Sequence, residues 1–241
     1  MIKLTDRLQV LADQIRKQET MADIGTDHGF LPIYLWEQGI SPNVILSDVS
    51  PGSLDKARVN VSQLQLPKEN SPFDLRLGNG LQILSEGEVD AVVIAGMGGI
   101  LMTEILGENL QKTRSFKRLI LQPRSGQGKL RYWLVKNGFS ITKELLVREG
   151  KYICEILTVD SSGNNLSISR EIEGAGPDSI QYEVPPWILS AGDLAEEFIL
   201  RKCAAEERVL SGLSKSQSRD LQKEKTVKER RDYLQSLLGG K

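Results

Sequence analysis

Between residues 21 and 137 the chain repeats one pattern five times: a short apolar run ending near a glycine or an acid, then a stretch with helical spacing. The runs are 21–25, 44–48, 73–77, 91–95 and 119–122; the helical stretches are 31–38, 53–66, 81–84, 100–110 and 128–137. A strand covered on both faces is apolar throughout, and joining it in parallel to the next requires a crossover helix. The pattern therefore predicts an α/β domain with a parallel sheet and helices on both sides. Two more strand patterns, 140–148 and 152–159, are separated only by Glu149-Gly150-Lys151, which predicts a hairpin and an antiparallel end to the sheet. Ahead of the first run, Leu4, Leu8, Leu11 and Ile15 recur at spacings of 4, 3 and 4, predicting an amphipathic helix over 4–17.

After Asp160 the composition turns to Ser, Gly, Asn and Pro without a sustained period, and Pro185-Pro186 interrupts any regular element. From about 190 the apolar positions are helical again, with polar residues in the majority and a candidate turn at 214–218. The expected organisation is a sheet domain over 1–160, a connector over 161–189 and a helical hairpin, in the manner of a short coiled coil, over 190–241.

Composition narrows the setting. The longest nearly uninterrupted apolar stretch, 91–102, holds 12 residues and three glycines, well short of the roughly 18 needed to span a membrane. The first residues scatter charge through what would be the apolar core of a signal peptide. Cys154 and Cys203 stand far apart with no CxxC, so neither a disulfide framework nor a metal site is indicated. A soluble cytoplasmic chain without membrane or metal partners is expected. The net charge of −1 conceals strong segregation. Residues 1–110 carry 8 Lys and Arg against 15 Asp and Glu (−7), and 111–151 carry 11 against 2 (+9). Residues 152–200 carry 1 against 9 (−8), and 201–241 carry 11 against 6 (+5). Two basic blocks on a neutral chain suit a polyanionic partner.

In an open parallel sheet ligands sit beyond the carboxyl ends of the strands. After the first strand stands Asp23-Ile24-Gly25-Thr26-Asp27-His28-Gly29, a glycine loop with an acid and the chain's one histidine at its centre. A pyrophosphate needs bare amides and positive potential where Asp27 sits, so a dinucleotide is disfavoured and a cationic, phosphate-free nucleoside is favoured. Asp48 closes the second run 23 residues beyond Gly25, near the spacing of an acid that accepts ribose hydroxyls, although a helix cap is the alternative. Asn79 between Gly78 and Gly80 suits an adenine amine or a plain turn. Three glycines in Ala95-Gly96-Met97-Gly98-Gly99 point to a ligand lying against the backbone. Leu121-Gln122-Pro123-Arg124 ends the fifth run facing the same crevice.

The combination DIGTDHGFLP, SDVSPGSLDKA, GNGL, IAGMGG and LILQP, followed by a connector and a helical tail, resembles the bacterial TrmK-type tRNA methyltransferases. The resemblance implies a Rossmann-like class I methyltransferase domain with a coiled-coil arm. It also implies S-adenosylmethionine as donor, tRNA as substrate and adenine N1 at position 22 as the methylated atom. Carried onto this chain, the family's donor pocket falls on Gly25, His28, Asp48, Asn79, Gly80, Gly96 and Met97, with Asp23 and Val49 expected beside it. The Asn/Asp-Pro-Pro-aromatic tetrapeptide of exocyclic-amine methyltransferases is absent, which agrees with a ring-nitrogen acceptor. Methylation makes the ring cationic, and Asp27 is the candidate catalytic carboxylate beside it; orienting the turn or His28 is the alternative role. Arg124, Lys129 and Arg131 in the first basic block, with Lys223, Lys228, Arg230 and Arg231 on the arm, are the candidate phosphate contacts, and Arg219 lies among the arm's other cations. Tyr132 and Trp133 read as core rather than base-stacking platforms. A methyltransferase acting on another RNA or a small molecule, and a non-catalytic RNA-binding protein on the same fold, are the rival readings.

Overall fold

A computed structural model describes residues 2–66, 71–161, 167–215 and 220–239. Its sheet has seven strands in the order β3-β2-β1-β4-β5-β7-β6: β1 (Met21–Ile24), β2 (Val44–Asp48), β3 (Phe73–Leu77), β4 (Ala91–Gly98), β5 (Arg118–Ser125), β6 (Ser140–Glu149) and β7 (Tyr152–Asp160). The first five pair in parallel, and β7 runs antiparallel to both β5 and β6. Every residue of β1 and the first four of β2 and β4 are buried, as a strand covered on both faces requires.

The crossover helices are α2 (Phe30–Glu37), α3 (Pro51–Ser62), α4 (Gly99–Gly107), α5 (Leu110–Ser115) and α6 (Gln127–Lys136), with α1 (Asp6–Ala12) preceding the sheet. Two apolar layers fill the faces. One joins Met102, Leu106, Leu130 and Leu134 to β4 and β5; the other joins Leu11, Leu31, Ile33 and Leu35 to β1 and β2. Trp133 packs on the first layer, and Tyr132 lies edge-on to Tyr182 at 5.3 Å, so both belong to the packing.

Several expectations are revised. The first helix is half the predicted 4–17, being capped by the Thr5 hydroxyl and ending after Ala12. The pattern over 100–110 divides into α4 and α5 because the Asn109 side chain accepts from the Lys112 amide and starts a new helix. The 81–84 pattern is one 3₁₀ turn, Gly80–Ile83. The stretch read as a connector carries 3₁₀ turns at Ile168–Ile172 and Pro186–Ser190 and a short helix, α7 (Ile180–Glu183), with Ile172, Tyr182 and Trp187 buried. The expected helical hairpin is α8 (Ala195–Ser214) and α9 (Leu221–Gly239); residues 216–219, which include most of the turn and Arg219, lie outside the described residues. Phe198, Ile199 and Leu234 pack with Leu146 of β6, Val184 and Ile188, so the arm is seated on the domain. No described helix is long and apolar enough to cross a membrane.

Arg131 is the clearest correction. Its side chain is fully buried and pairs with both Glu144 and Glu155, while Nη1 donates to the Tyr182 carbonyl at 2.8 Å. It cannot contact a phosphate. Burial alone would lower its pKa, but the two glutamates hold the guanidinium above its ordinary value. Trp187 Nε1 donates to Glu144 at 2.9 Å, so the cluster joins α6, β6, β7 and the segment before the arm.

Candidate functional site

The sheet reverses its winding between β1 and β4, and a crevice opens there beyond the carboxyl ends of the strands. Two adjoining cavities fill it. One of about 330 Å³ is walled by Asp23, Gly25, Asp27, His28, Gly96 and Arg124, with Arg7 and Leu8 of α1 on its far side. The other, of about 240 Å³, is walled by Gly25, Asp48, Val49, Asn79, Gly80, Gly96 and Met97. All nine predicted pocket residues and Asp27 thus lie around one crevice, with Gly25 and Gly96 shared between its halves.

The first loop is built by hydrogen bonds from its own amides. Gly25 N and Thr26 N both donate to the Ser47 carbonyl, at 2.8 and 2.9 Å, binding the β1 loop to the end of β2. Gly25 has φ +80°, a left-handed conformation that favours glycine, and the end of the Met97 side chain lies where a Cβ would stand, 2.3 Å from Cε. Asp27 adopts φ +48°, a conformation that costs a non-glycine residue about 1–2 kcal/mol and is concentrated at functional sites. Its carboxylate is half-exposed at the crevice mouth, 2.8 Å from Lys56 Nζ and 3.6 Å from His28 Nε2. His28 stacks on Phe30 at 5.1 Å, and its carbonyl accepts from Asn60 Nδ2 at 2.8 Å, which fixes it as a wall.

Asp48 does not cap α3; Ser50 does, accepting from Ser53 N. The Asp48 carboxylate instead accepts from Ser50 N at 2.8 Å and from Asp27 N at 3.3 Å, which leaves its outward lone pairs to the crevice. Asp23 forms the floor. Burial pushes its carboxyl up to about 6, against the lowering effects of the 2.7 Å hydrogen bond from Thr26 and of the Arg7 charge, while Asp48 adds to the rise. An acid held above its ordinary value of 3.8 binds its proton more tightly in the folded chain. It costs stability as pH rises from about 4 through 6, by roughly 1.4 kcal/mol per unit. Asp23→Asn should therefore be more stable than the parent by about 1–3 kcal/mol at pH 7.5 and no more stable at pH 4, as urea titrations at the two pH values would show. A gain of equal size at both would remove Asp23 from this account.

Sequence reasoning missed Lys56, Arg7 and Thr26. Lys56 and Arg7 sit on polar faces of α3 and α1, where nothing in the spacing marks them. The predicted cations divide. Arg124 is exposed at the crevice mouth, and Lys223 is exposed on α9. Lys129 and Lys228 are exposed in surface pairs with Asp178 and Glu224, which a phosphate can displace at little cost. Arg231 pairs with Asp232, and Arg230 is held between Glu183 and Glu206, 2.8 Å from each.

Comparison with known proteins places this architecture. A family model described as a methyltransferase domain matches residues 4–157. A Bacillus subtilis tRNA (adenine(22)-N(1))-methyltransferase is 35% identical over 160 residues, which is 66% of this chain and 66% of that one. The crystal structure of the B. subtilis m1A22 tRNA methyltransferase TrmK superposes with a TM-score of 0.82 at 26% identity, covering 98% of this chain and 99% of that chain. The chain belongs to the TrmK-type methyltransferases. Sp1610 of Streptococcus pneumoniae, solved in complex with S-adenosyl-L-methionine, superposes with a TM-score of 0.79 at 28% identity over 99% of this chain and all of that one. The TrmK-type crevice here fits such a donor on its own evidence. Apart from its chain neighbours, no atom of the described residues lies within 4 Å of where a Gly96 Cβ would stand, so its backbone is bare toward the cavity, and the three acids Asp23, Asp27 and Asp48 face a space suited to a cationic nucleoside.

Proposed function

We propose that this TrmK-type enzyme methylates N1 of adenine 22 in tRNA, acting in the cytoplasm, with Asp27 as the carboxylate beside the reacting base. It is an S-adenosylmethionine-dependent tRNA (adenine-N1)-methyltransferase. The observation that carries the reading is the overlap of 99% of the chain, crevice and arm together, with a protein solved holding that donor.

Bound in the crevice, S-adenosylmethionine supplies an electrophilic methyl on a positively charged sulfur. Asp48 and Asn79 would hold its nucleoside, Asp23 would put negative potential beside its positive groups, and the walls of Gly25, Gly96 and Met97 would exclude water. The acceptor ring becomes cationic as its N1 lone pair forms the new bond, and the Asp27 carboxylate opposes that charge. Lys56 Nζ, 2.8 Å away, tethers the Asp27 carboxylate at the crevice mouth. Arg124 at the crevice mouth, Lys129 in the first turn of α6, and Lys223 and Lys228 on the arm position tRNA through phosphates; Arg230 and Arg231 contribute only by exchanging their present acidic partners.

The substrate assignment is tested with purified protein, labelled donor and tRNA transcripts carrying A22 or G22. N1-methyladenosine should form in the first alone, and equal labelling of both would redirect the enzyme to another site or RNA. The role of Asp27 is tested by Asp27→Asn, since asparagine tolerates the left-handed backbone and removes only the charge. Single-turnover methylation should fall roughly 100-fold with donor affinity kept within about threefold. Parallel loss of both would make Asp27 a donor-pocket residue.

A further inference from the structure

The β4–β5 ladder is regular from Ala91 to Ala95, paired with Arg118 to Gln122, and then slips at Gly96, where the register jumps to Met97 opposite Pro123. The slip turns Gly96 to φ +76° and takes its N–H out of the ladder. The displaced N–H is a donor and needs an acceptor, which the slipped ladder no longer offers it. A side chain does: Gly96 N donates at 3.0 Å to Oε1 of Gln122, which is 2% exposed. The same oxygen accepts from Arg7 Nη1 at 3.2 Å, and Arg7 is itself held by Glu149, 2.8 Å from its Nε. With the Gln122 amide reversed, its NH₂ would face two donors. Arg7 and the Pro123 carbonyl, which accepts from Gln122 Nε2 at 3.2 Å, therefore select together the orientation in which the amide oxygen meets Gly96.

We propose that Gln122 is a positioning residue for the methyl donor, holding the Gly96 bulge in its donor-receptive shape, and that Arg7 helps to set the direction of its amide. The inference rests on the reading of the crevice as the donor site. The bulge is what bares the Gly96 backbone to both cavities, and it stands between the Asp23 floor and the Asn79 wall. Gln122 acts through Gly96 rather than by touching the reacting atoms.

Two variants separate this role from general packing. Gln122→Leu keeps similar volume and removes the acceptor, while Gln122→Glu keeps the acceptor, gives Arg7 a charged partner and gives up only the 3.2 Å hydrogen bond to the Pro123 carbonyl. In the donor-free protein, amide hydrogen exchange at Gly96 should speed up at least tenfold in Gln122→Leu and stay near the parent value in Gln122→Glu. By calorimetry, S-adenosylmethionine should bind Gln122→Leu roughly 10- to 100-fold more weakly, the consequence of a half-buried Gly96 amide that has lost its acceptor, with Gln122→Glu within about threefold of the parent. Arg7→Met, which removes one of the contacts that hold the amide oxygen toward Gly96, should fall between them. Donor affinity unchanged in a folded Gln122→Leu, or equal loss in both Gln122 variants, overturns the proposal. Failure of the parent chain to bind the donor would instead remove the donor-site reading.

Discussion

Arg131→Met should destabilise the fold by about 3–5 kcal/mol, the largest stability loss expected of any single replacement outside the hydrophobic layers. The guanidinium neutralises Glu144 and Glu155 where neither has solvent, and burial already pushes the Glu155 carboxyl up even with Arg131 in place. Methionine fills similar space but leaves two carboxyls buried without a cation, and it strips the Tyr182 and Glu183 carbonyls of a shared donor. The variant should answer to pH in a definite direction. Burial holds the Glu155 carboxyl above its unfolded value, all the more without the cation, so its cost is present at pH 8 and shrinks as acid protonates it. Urea titrations at pH 8 and pH 5.5 should show a smaller deficit at the lower pH. Adding Glu144→Gln and Glu155→Gln should recover most of the loss, since glutamine at 144 still accepts from Trp187. A single variant as stable as the parent at pH 8 would mean that the cluster is not ionised as described.

The same residue shows where reading a sequence reaches its limit. Arg131 lies in a segment with 11 basic and 2 acidic residues, and its surroundings on the chain advertise a positive surface. Its partners are 13 and 24 residues away, brought in by the β6–β7 hairpin, so only folding reveals that the charge is spent internally. The parallel sheet was legible because burial on both faces writes itself locally, as in Met21–Ile24 and Ala91–Ile94. The pocket loops were legible because glycine and acid at strand ends have few other physical uses. Less visible was the continuation of β4 through Gly98: glycines argue against a strand, and only a side chain borrowed from β5 sustains the bulge. The segment before the arm looked like a connector for a related reason. Its buried Ile172, Tyr182 and Trp187 are too sparse to make a period, yet each fills a gap against α6 or the Arg131 cluster.

Asp48→Ala should abolish useful donor binding, raising the dissociation constant by roughly 100-fold or more, with little change in melting temperature. The carboxylate now satisfies Ser50 N and Asp27 N, tying the β2 loop to the β1 loop across the crevice. It is only partly buried, so water can take over these amides and the stability cost stays small. Water cannot replace a fixed anion that accepts both hydroxyls of a ribose, for which each charged hydrogen bond contributes about 1.5–3 kcal/mol. Losing it also releases Asp27 from its left-handed turn, so turnover at saturating donor should fall as well as affinity. Asp48→Asn should be intermediate, because its one carbonyl oxygen must choose between the loop amide and the sugar while its NH₂ faces another donor. Calorimetry with S-adenosylmethionine measures the loss, and a donor analogue lacking the 2′ and 3′ hydroxyls apportions it. The parent and Asp48→Ala should bind that analogue with similar affinity, giving a coupling between carboxylate and hydroxyls close to the whole effect. If Asp48→Ala instead loses affinity equally for donor and analogue, the carboxylate acts by shaping the loops and not by holding the ribose.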